Sequence, residues 1–422
     1  MPFGRTPELR RRWIALGIYL AACAVYFLFA DPAVIHEHTP WNHFALLADA
    51  WRQGRLDLGG PPPAYTGNND FSHFDGKWYV VFPPFPALLL LPIAALVKDP
   101  ARVRDGQFFL WFAGLSPALL FLALEKLRRF GRSNLDELGN VGLSLSFAFG
   151  SVYFFSAEQG TVWFAAHVVG AALAAAYLLF ALEAEHPFLA GLALGLGFAT
   201  RTPLLLAAPL FVLEAVRAAR PRLTRSVLTF AAPVSAIVLL TLVHNQLRFG
   251  DPFEVGYRFL GVAWQHRIEK WGLFGYHYLA KNLGIALTSL PFWTPRGAAP
   301  FQINLHGLAL WITTPAYLWL LWPQRTNVPH RALWITVGCV ALPTLLYQNT
   351  GWLQFGYRFS NDYAVFLFAL LAVGGYRFGR LFRACACAAV LINAFGAGTF
   401  GRSRYAAYYF QDNTQRIVYQ PD

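Results

Sequence analysis

Apolar residues run through this chain in long stretches from residue 13 to residue 400, separated by short segments that carry most of the arginines. A helix needs about 20 apolar residues to cross a hydrocarbon core of roughly 30 Å. Stretches of this kind fall at roughly 13–30, 107–126, 141–156, 162–182, 226–246, 305–322, 332–348, 361–375 and 384–400. One more, at 188–217, is interrupted by Thr200-Arg201-Thr202-Pro203 and reads as two shorter helices meeting at a polar turn. The pattern predicts an all-α polytopic membrane domain over 1–422, with about 11 transmembrane helices.

The short stretch at 83–97 holds Pro83, Pro84, Pro86 and Pro92. If it spanned, the next helix would place Lys126, Arg128, Arg129 and Arg132 outside, against the preference of basic loops for the cytoplasm. Read instead as an interfacial helix, it brings every later loop into register, with Arg217, Arg220, Arg222, Arg225, Arg325, Arg331, Arg377, Arg380 and Arg383 all inside. Arg10-Arg11-Arg12 then marks a cytoplasmic N-terminus before an uncleaved first span. The tail from Gly401 ends outside, with Arg402 and Arg404 against the trend. Two long loops fall on the extracytoplasmic side, at 31–106 and 247–304. In the first, Phe44, Leu47, Ala48 and Trp51 give residues 42–53 one greasy helical face suited to the membrane surface. A proline and glycine cluster at 59–63 ends it, and Asn68 to Tyr79 reads as a polar loop.

Composition agrees with lipid as the main solvent. The chain is 56% hydrophobic and 13% charged, and its mean hydropathy is +0.40. Soluble domains carry about 25% charged residues. The net charge of +12 does not point to nucleic acid: the basic residues, nearly all arginine, lie between apolar runs and not along one face. Cys23, Cys339, Cys385 and Cys387 sit in apolar segments with neither disulfide nor zinc spacing.

Chemistry-bearing residues concentrate in the first loop. The run Asn69-Asp70-Phe71-Ser72-His73-Phe74-Asp75-Gly76-Lys77-Trp78-Tyr79 leads into Phe82-Pro83-Pro84-Phe85-Pro86. A carboxylate held at the bilayer edge by apolar walls can act as a general base toward a hydroxyl. The plainer reading is a solvated loop turning at Gly76. His36, Glu37, His38 and His43 lack the spacing of a strong metal site, so a divalent cation is possible but unsupported and no cofactor is required.

These residues resemble the GT-C glycosyltransferases, the broad group that includes protein O-mannosyltransferases and lipid A aminoarabinose transferase. Similar sequences carry an Asp, Gly, an aromatic pair and Phe-Pro-Pro, here Asp70, Gly76, Trp78-Tyr79 and Phe82-Pro83-Pro84. Segments 159–167, Thr200–Pro203, 245–254 and 355–359 fit the same style. The resemblance implies an inverting transferase of the inner (plasma) membrane with an extracytoplasmic (periplasmic) site. It would move a hexosyl or pentosyl group from a polyprenyl-phosphate donor to a hydroxyl on a glycan, lipid or protein acceptor. Asp70 would be the base. Many members carry adjacent acidic residues soon after the first span, where this chain has Asp31 and Glu37, so those two stay open as alternatives.

A phosphate leaving group needs fixed positive charge. An arginine at the membrane centre costs about 2.5–3.5 kcal/mol and faces a cavity or a partner. Arg201, Arg358, Arg248 and His167 are the candidates for phosphate contact. The alternatives are a pairing of Arg201 with Glu158 or its snorkelling to the surface, a pairing of Arg358 with Asp362, and a core role for His167. Asp75, Lys77, Tyr79, Glu158, Gln159, Trp163 and Glu254 are the candidate substrate contacts, although most tryptophans in such chains form interfacial belts. Two other classes compete: a lipid-linked sugar transporter or flippase, and an O-antigen-type polysaccharide polymerase or ligase.

Overall fold

The computed structural model describes residues 7–262 and 264–410; the first six residues and the end of the tail, which the expected 1–422 domain includes, lie outside these. Among the described residues, five helices are long and apolar enough to cross a membrane alone: Pro7–Phe29, Asp105–Arg129, Val162–Ala184, Arg220–Phe249 and Arg380–Thr399. The other apolar stretches form shorter or interrupted helices, and the interruptions have local causes. Within the Asp105–Arg129 span the helix has a joint at Gly114, where an added Cβ would meet Cys23 Sγ at 2.5 Å and Tyr19 O at 2.8 Å. Glycine there lets the first helix pack against the joint between Asp105–Ala113 and Leu115–Arg129. The 188–217 stretch is indeed two helices, Pro187–Phe198 and Ala208–Ala218, joined by the 3-10 turn Thr202–Ala207.

The stretch at 305–322 departs from the expected span. It follows the strand Phe301–Asn304 and breaks into Leu310–Thr313 and the 3-10 segment Pro315–Leu321. Gly307 takes φ +103° and Pro315 lacks the N–H that a continuous helix would need.

In the first loop, His43–Arg52 is a helix that buries His43 through Ala50 and packs against Phe85–Val97. The polar segment between them is more ordered than its composition suggests. Phe71–Phe74 and Lys77–Val80 pair as an antiparallel hairpin. Its two turn residues, Asp75 and Gly76, both have positive φ, +48° and +69°. Asp-Gly with two positive φ values is the type I′ signature that matches strand twist. The second loop closes over this hairpin. Ser72 bridges Leu260, Phe74 meets Phe259 at a centroid distance of 4.5 Å, and Arg248 donates to the Val80 carbonyl at 2.8 Å.

Two helices form the centre of the molecule. Every residue of Asn361–Val373 is buried, and it packs against Val162–Ala181. The hairpin, the Thr200–Pro203 break and the N-terminal turns of these two helices converge at one end of the bundle.

Candidate active site

Asp70 immediately precedes the hairpin and takes φ +60°, a left-handed conformation that non-glycine residues adopt rarely and Asp more readily than most. The preceding carbonyl, of Asn69, accepts from His43 Nε2 at 2.8 Å, and the His43 ring stacks on Phe71 at 4.1 Å. Burial pulls His43 down to about 4, so the ring is neutral at pH 7 and the bond to Asn69 requires its proton on Nε2. That anchor sets the backbone which aims Asp70 at the bundle. Asp70 Oδ2 then accepts from Trp163 Nε1 at 2.8 Å, a contact spanning 93 residues. Burial pushes the Asp70 carboxyl above the ordinary carboxylate range, while the Trp163 N–H and the charge on Arg358 draw it partly back.

One helical turn past Trp163, His167 Nδ1 lies 3.2 Å from Asp362 Oδ1. Asp362 also receives two hydrogen bonds from Arg201, Nε to Oδ1 at 2.9 Å and Nη2 to Oδ2 at 2.7 Å. Arg201 reaches it because Gly170 has no side chain: a Cβ there would stand 2.8 Å from Arg201 Cγ. The partner of Arg201 is therefore Asp362 and not Glu158, and Asp362 does not pair with Arg358.

Arg358 differs from Arg248, the other buried arginine at this end without an ion pair among the described residues, in that Arg248 Nη1 and Nη2 both donate hydrogen bonds. Arg358 is 6% exposed, and among the described residues its Nε has no hydrogen-bond partner and it makes no ion pair. Its guanidinium lies over Phe164 at 4.9 Å and near Phe359 at 5.8 Å. Its backbone N–H donates to Gln354 Oε1 at 2.9 Å. Burial and the neighbouring charge of Arg201 disfavour its protonated form, and Asp70 only partly offsets them. A desolvated cation next to a second cation is electrostatically unfavourable unless further negative charge comes near it.

Sequence reasoning did not nominate two tyrosines at this site. Tyr257, from the second loop, and Tyr347, just after Val328–Leu345, interact with each other and with the charges of Asp70 and Arg201. Burial raises both hydroxyls, that of Tyr347 to about 12. Neither sits in a periodic or motif-bearing segment that would have marked it.

The remaining candidates stand apart from this cluster. Asp31 is exposed and caps Pro32–His36 by accepting from the Ala33 N–H. Glu37 is exposed at the other end of that short helix. Asp75 and Lys77 are exposed at the hairpin turn, and Tyr79 packs on Phe249 at 5.2 Å. Arg248 is engaged in architecture, bonding Val80 O and Asn245 Oδ1, each at 2.8 Å. Glu158 is buried and accepts from Gln159 Nε2 at 2.5 Å. Glu254 pairs with Arg258 at 2.5 Å. No group of three His, Cys, Asp or Glu able to hold a metal occurs among the described residues.

No family model matches the chain, and no curated protein matches it. Two solved structures do. The apo oligosaccharyltransferase of Archaeoglobus fulgidus is 13% identical, with a TM-score of 0.53, covering 97% of this chain and 60% of that one. The oligosaccharyltransferase AglB of the same organism, in complex with an inhibitory peptide and a dolichol-phosphate, is 11% identical, with a TM-score of 0.46, covering 91% and 56%. This chain thus spans 60% of the length of the first. At such identity the likeness concerns architecture alone, and on that architecture the chain is a helical membrane protein of the GT-C fold.

Proposed function

We propose that the chain is an inverting glycosyltransferase that takes a hexosyl or pentosyl group from a polyprenyl-phosphate donor and delivers it to an acceptor hydroxyl on the extracytoplasmic side of the inner (plasma) membrane. The observation that carries this reading is the presence, within electrostatic range of each other, of a partly buried carboxylate, Asp70, and the buried guanidinium of Arg358, which makes no ion pair among the described residues. A carboxylate with a raised proton affinity suits proton abstraction at neutral pH. A cation without an ion pair suits the phosphate that departs. Likeness to an oligosaccharyltransferase supports glycosyl transfer as the chemistry.

In the reaction, the acceptor hydroxyl loses its proton to Asp70 while its oxygen forms a bond to the anomeric carbon. The bond from that carbon to the phosphate oxygen breaks, and both electrons leave with polyprenyl phosphate. Arg358 meets the charge developing on the phosphate. Arg201 is held by Asp362 and contributes a second, already balanced cation that fixes the donor's position. Trp163 orients the base.

Reconstituted protein given a radiolabelled polyprenyl-phosphate sugar and a panel of glycan, lipid and peptide acceptors is expected to move label into one of them. Asp70→Asn should abolish that movement while the protein remains folded. Full transfer by Asp70→Asn would remove the base assignment. Label crossing the vesicle membrane with its phosphate bond intact would instead identify a flippase. A transferase insensitive to Asp70 but dependent on an arginine of the 247–304 loop would fit a polymerase or ligase.

A further inference from the structure

A cavity of about 650 Å³ opens at the other end of the bundle, lined by Leu318, Trp319, Trp322, Tyr376, Arg377 and Leu381 among others. Asp362 lies in the first turn of the helix Asn361–Val373 and Tyr376 three residues past its end, with about 16 Å of helix between them at 1.5 Å per residue. The cavity is therefore separate from the cluster around Asp70.

Its walls are apolar and open. Trp322 is 68% and Leu381 69% exposed, more than a packed interior would leave. Its inner end is polar: Tyr376 is buried, and its hydroxyl has no hydrogen-bond partner among the described residues. The two glycines before Tyr376 shape that end. A Cβ on Gly374 would run into the Tyr376 ring at 2.2 Å, and one on Gly375 would meet Arg325 Cγ at 2.8 Å.

Charge at this end is unbalanced. The acidic residues of the neighbouring loops already have cationic partners: Glu125 has Arg128, Glu137 has Arg10, Glu183 has Arg132 and Arg217, Glu185 has Lys126, and Glu214 has Arg217. Asp136 is committed to capping a helix. By contrast, Arg325 donates to Asn134 Oδ1 and Arg383 to the Phe378 carbonyl. Arg377 and Arg380 are exposed and have no carboxylate partner among the described residues. Arg377 lines the cavity and Arg380 adjoins its lining residue Leu381; uncompensated arginines beside an aromatic, aliphatic groove match an anionic headgroup joined to hydrocarbon.

We propose that this cavity binds one anionic phospholipid, its phosphate at Arg377 and Arg380 and one acyl chain along Leu318, Trp322 and Leu381. The site is independent of the glycosyl-transfer reading.

The test is native mass spectrometry of the full chain, delipidated and then offered phosphatidylglycerol and phosphatidylcholine with matched acyl chains. One phosphatidylglycerol is expected to be retained per chain, with at least a tenfold preference over phosphatidylcholine. Arg377→Glu should lower retention to the phosphatidylcholine level, and Arg377→Lys should keep most of it. Leu381→Gln, with the charge untouched, should weaken both lipids. Equal retention of the two lipids would overturn the proposal, as would phosphatidylglycerol binding unchanged in Arg377→Glu. A dimer burying this face with no lipid retained would overturn it in favour of a second copy as occupant.

Discussion

Arg201 and Asp362, 161 residues apart, meet through two parallel hydrogen bonds of 2.9 and 2.7 Å. The pair ties the Thr200–Pro203 break to the first turn of the central helix Asn361–Val373. It also sets His167 against the same carboxylate. Removing one member leaves the other as an uncompensated charge, which costs about 3–5 kcal/mol in buried pairs. Asp362→Asn should therefore lower the midpoint of thermal unfolding in detergent. Replacing both partners together, Arg201→Met with Asp362→Leu, should cost less than the single change. A double variant as unstable as the sum of both singles would show that the pair is not acting as a unit.

A pH dependence follows from the direction of the Asp70 shift. Its carboxyl is raised in the folded protein, chiefly by burial. The folded state therefore binds this proton more tightly than the unfolded state does. The associated stability is full below the unfolded value near 3.9 and is lost as pH rises through the folded value. At neutral pH the ionised group is a cost to the fold, so Asp70→Asn should unfold no earlier than the parent. Activity should run the other way. Transfer is expected to fall as pH drops through the raised value, giving an acid limb above the ordinary carboxylate range. A limb at or below pH 4 would contradict the assignment of Asp70 as base.

Trp163 offers a way to move that limb without touching the base. Its indole N–H donates to the Asp70 carboxylate and draws its proton affinity down. Trp163→Phe keeps a large aromatic ring against Trp41, which sits 5.1 Å away, while deleting the donor. A hydrogen bond to a charged group is worth about 1.5–3 kcal/mol. The acid limb should shift upward, and the maximal rate should fall as Asp70 loses its orientation. A merely structural tryptophan would lower the yield of folded protein and leave the limb in place.

Much of the helical framework could be read from apolar run length, because lipid exposure leaves little choice but helices. Run length failed at 305–322, where composition is apolar but Gly307 and Pro315 dictate turns. It also hid the hairpin at 71–80, since the Asp75-Gly76 signal lay in a segment polar enough to pass as loop. Asp70 drew notice through its polar run ahead of Phe82-Pro83-Pro84, Arg201 and Arg358 as charges at the ends or breaks of apolar runs, and Trp163 as a possible substrate contact; the structure brings them to one end of the bundle. What joins them is long-range. The partnership of Arg201 with Asp362 and the approach of Tyr257 and Tyr347 depend on which helices pack together. No local pattern encodes that. Asp31 and Glu37 share the loop with Asp70, but their backbone turns them to the surface.

Arg358 and Arg248 are both buried arginines at this end of the protein, and their replacement should produce opposite signs. The Arg358 guanidinium is desolvated, lies near Arg201, and has no ion-pair partner among the described residues. Its charge is a burden on the fold that Asp70 and the Phe164 ring offset only in part and that an anionic ligand would relieve. Arg358→Gln should thus raise the unfolding temperature of the ligand-free protein and, by loss of about 3 kcal/mol of contact with the leaving phosphate, slow transfer by about a hundredfold. Arg248 instead satisfies the Val80 carbonyl and Asn245. Arg248→Met would strand a carbonyl of the hairpin and lower stability by about 1–3 kcal/mol. Hydrogen exchange over 71–80 should speed up in that variant. Binding of a polyprenyl phosphate should protect the parent and the Arg248 variant against heat but give Arg358→Gln little protection. If the Arg358 variant gains as much from the lipid phosphate as the parent does, the anion is held elsewhere.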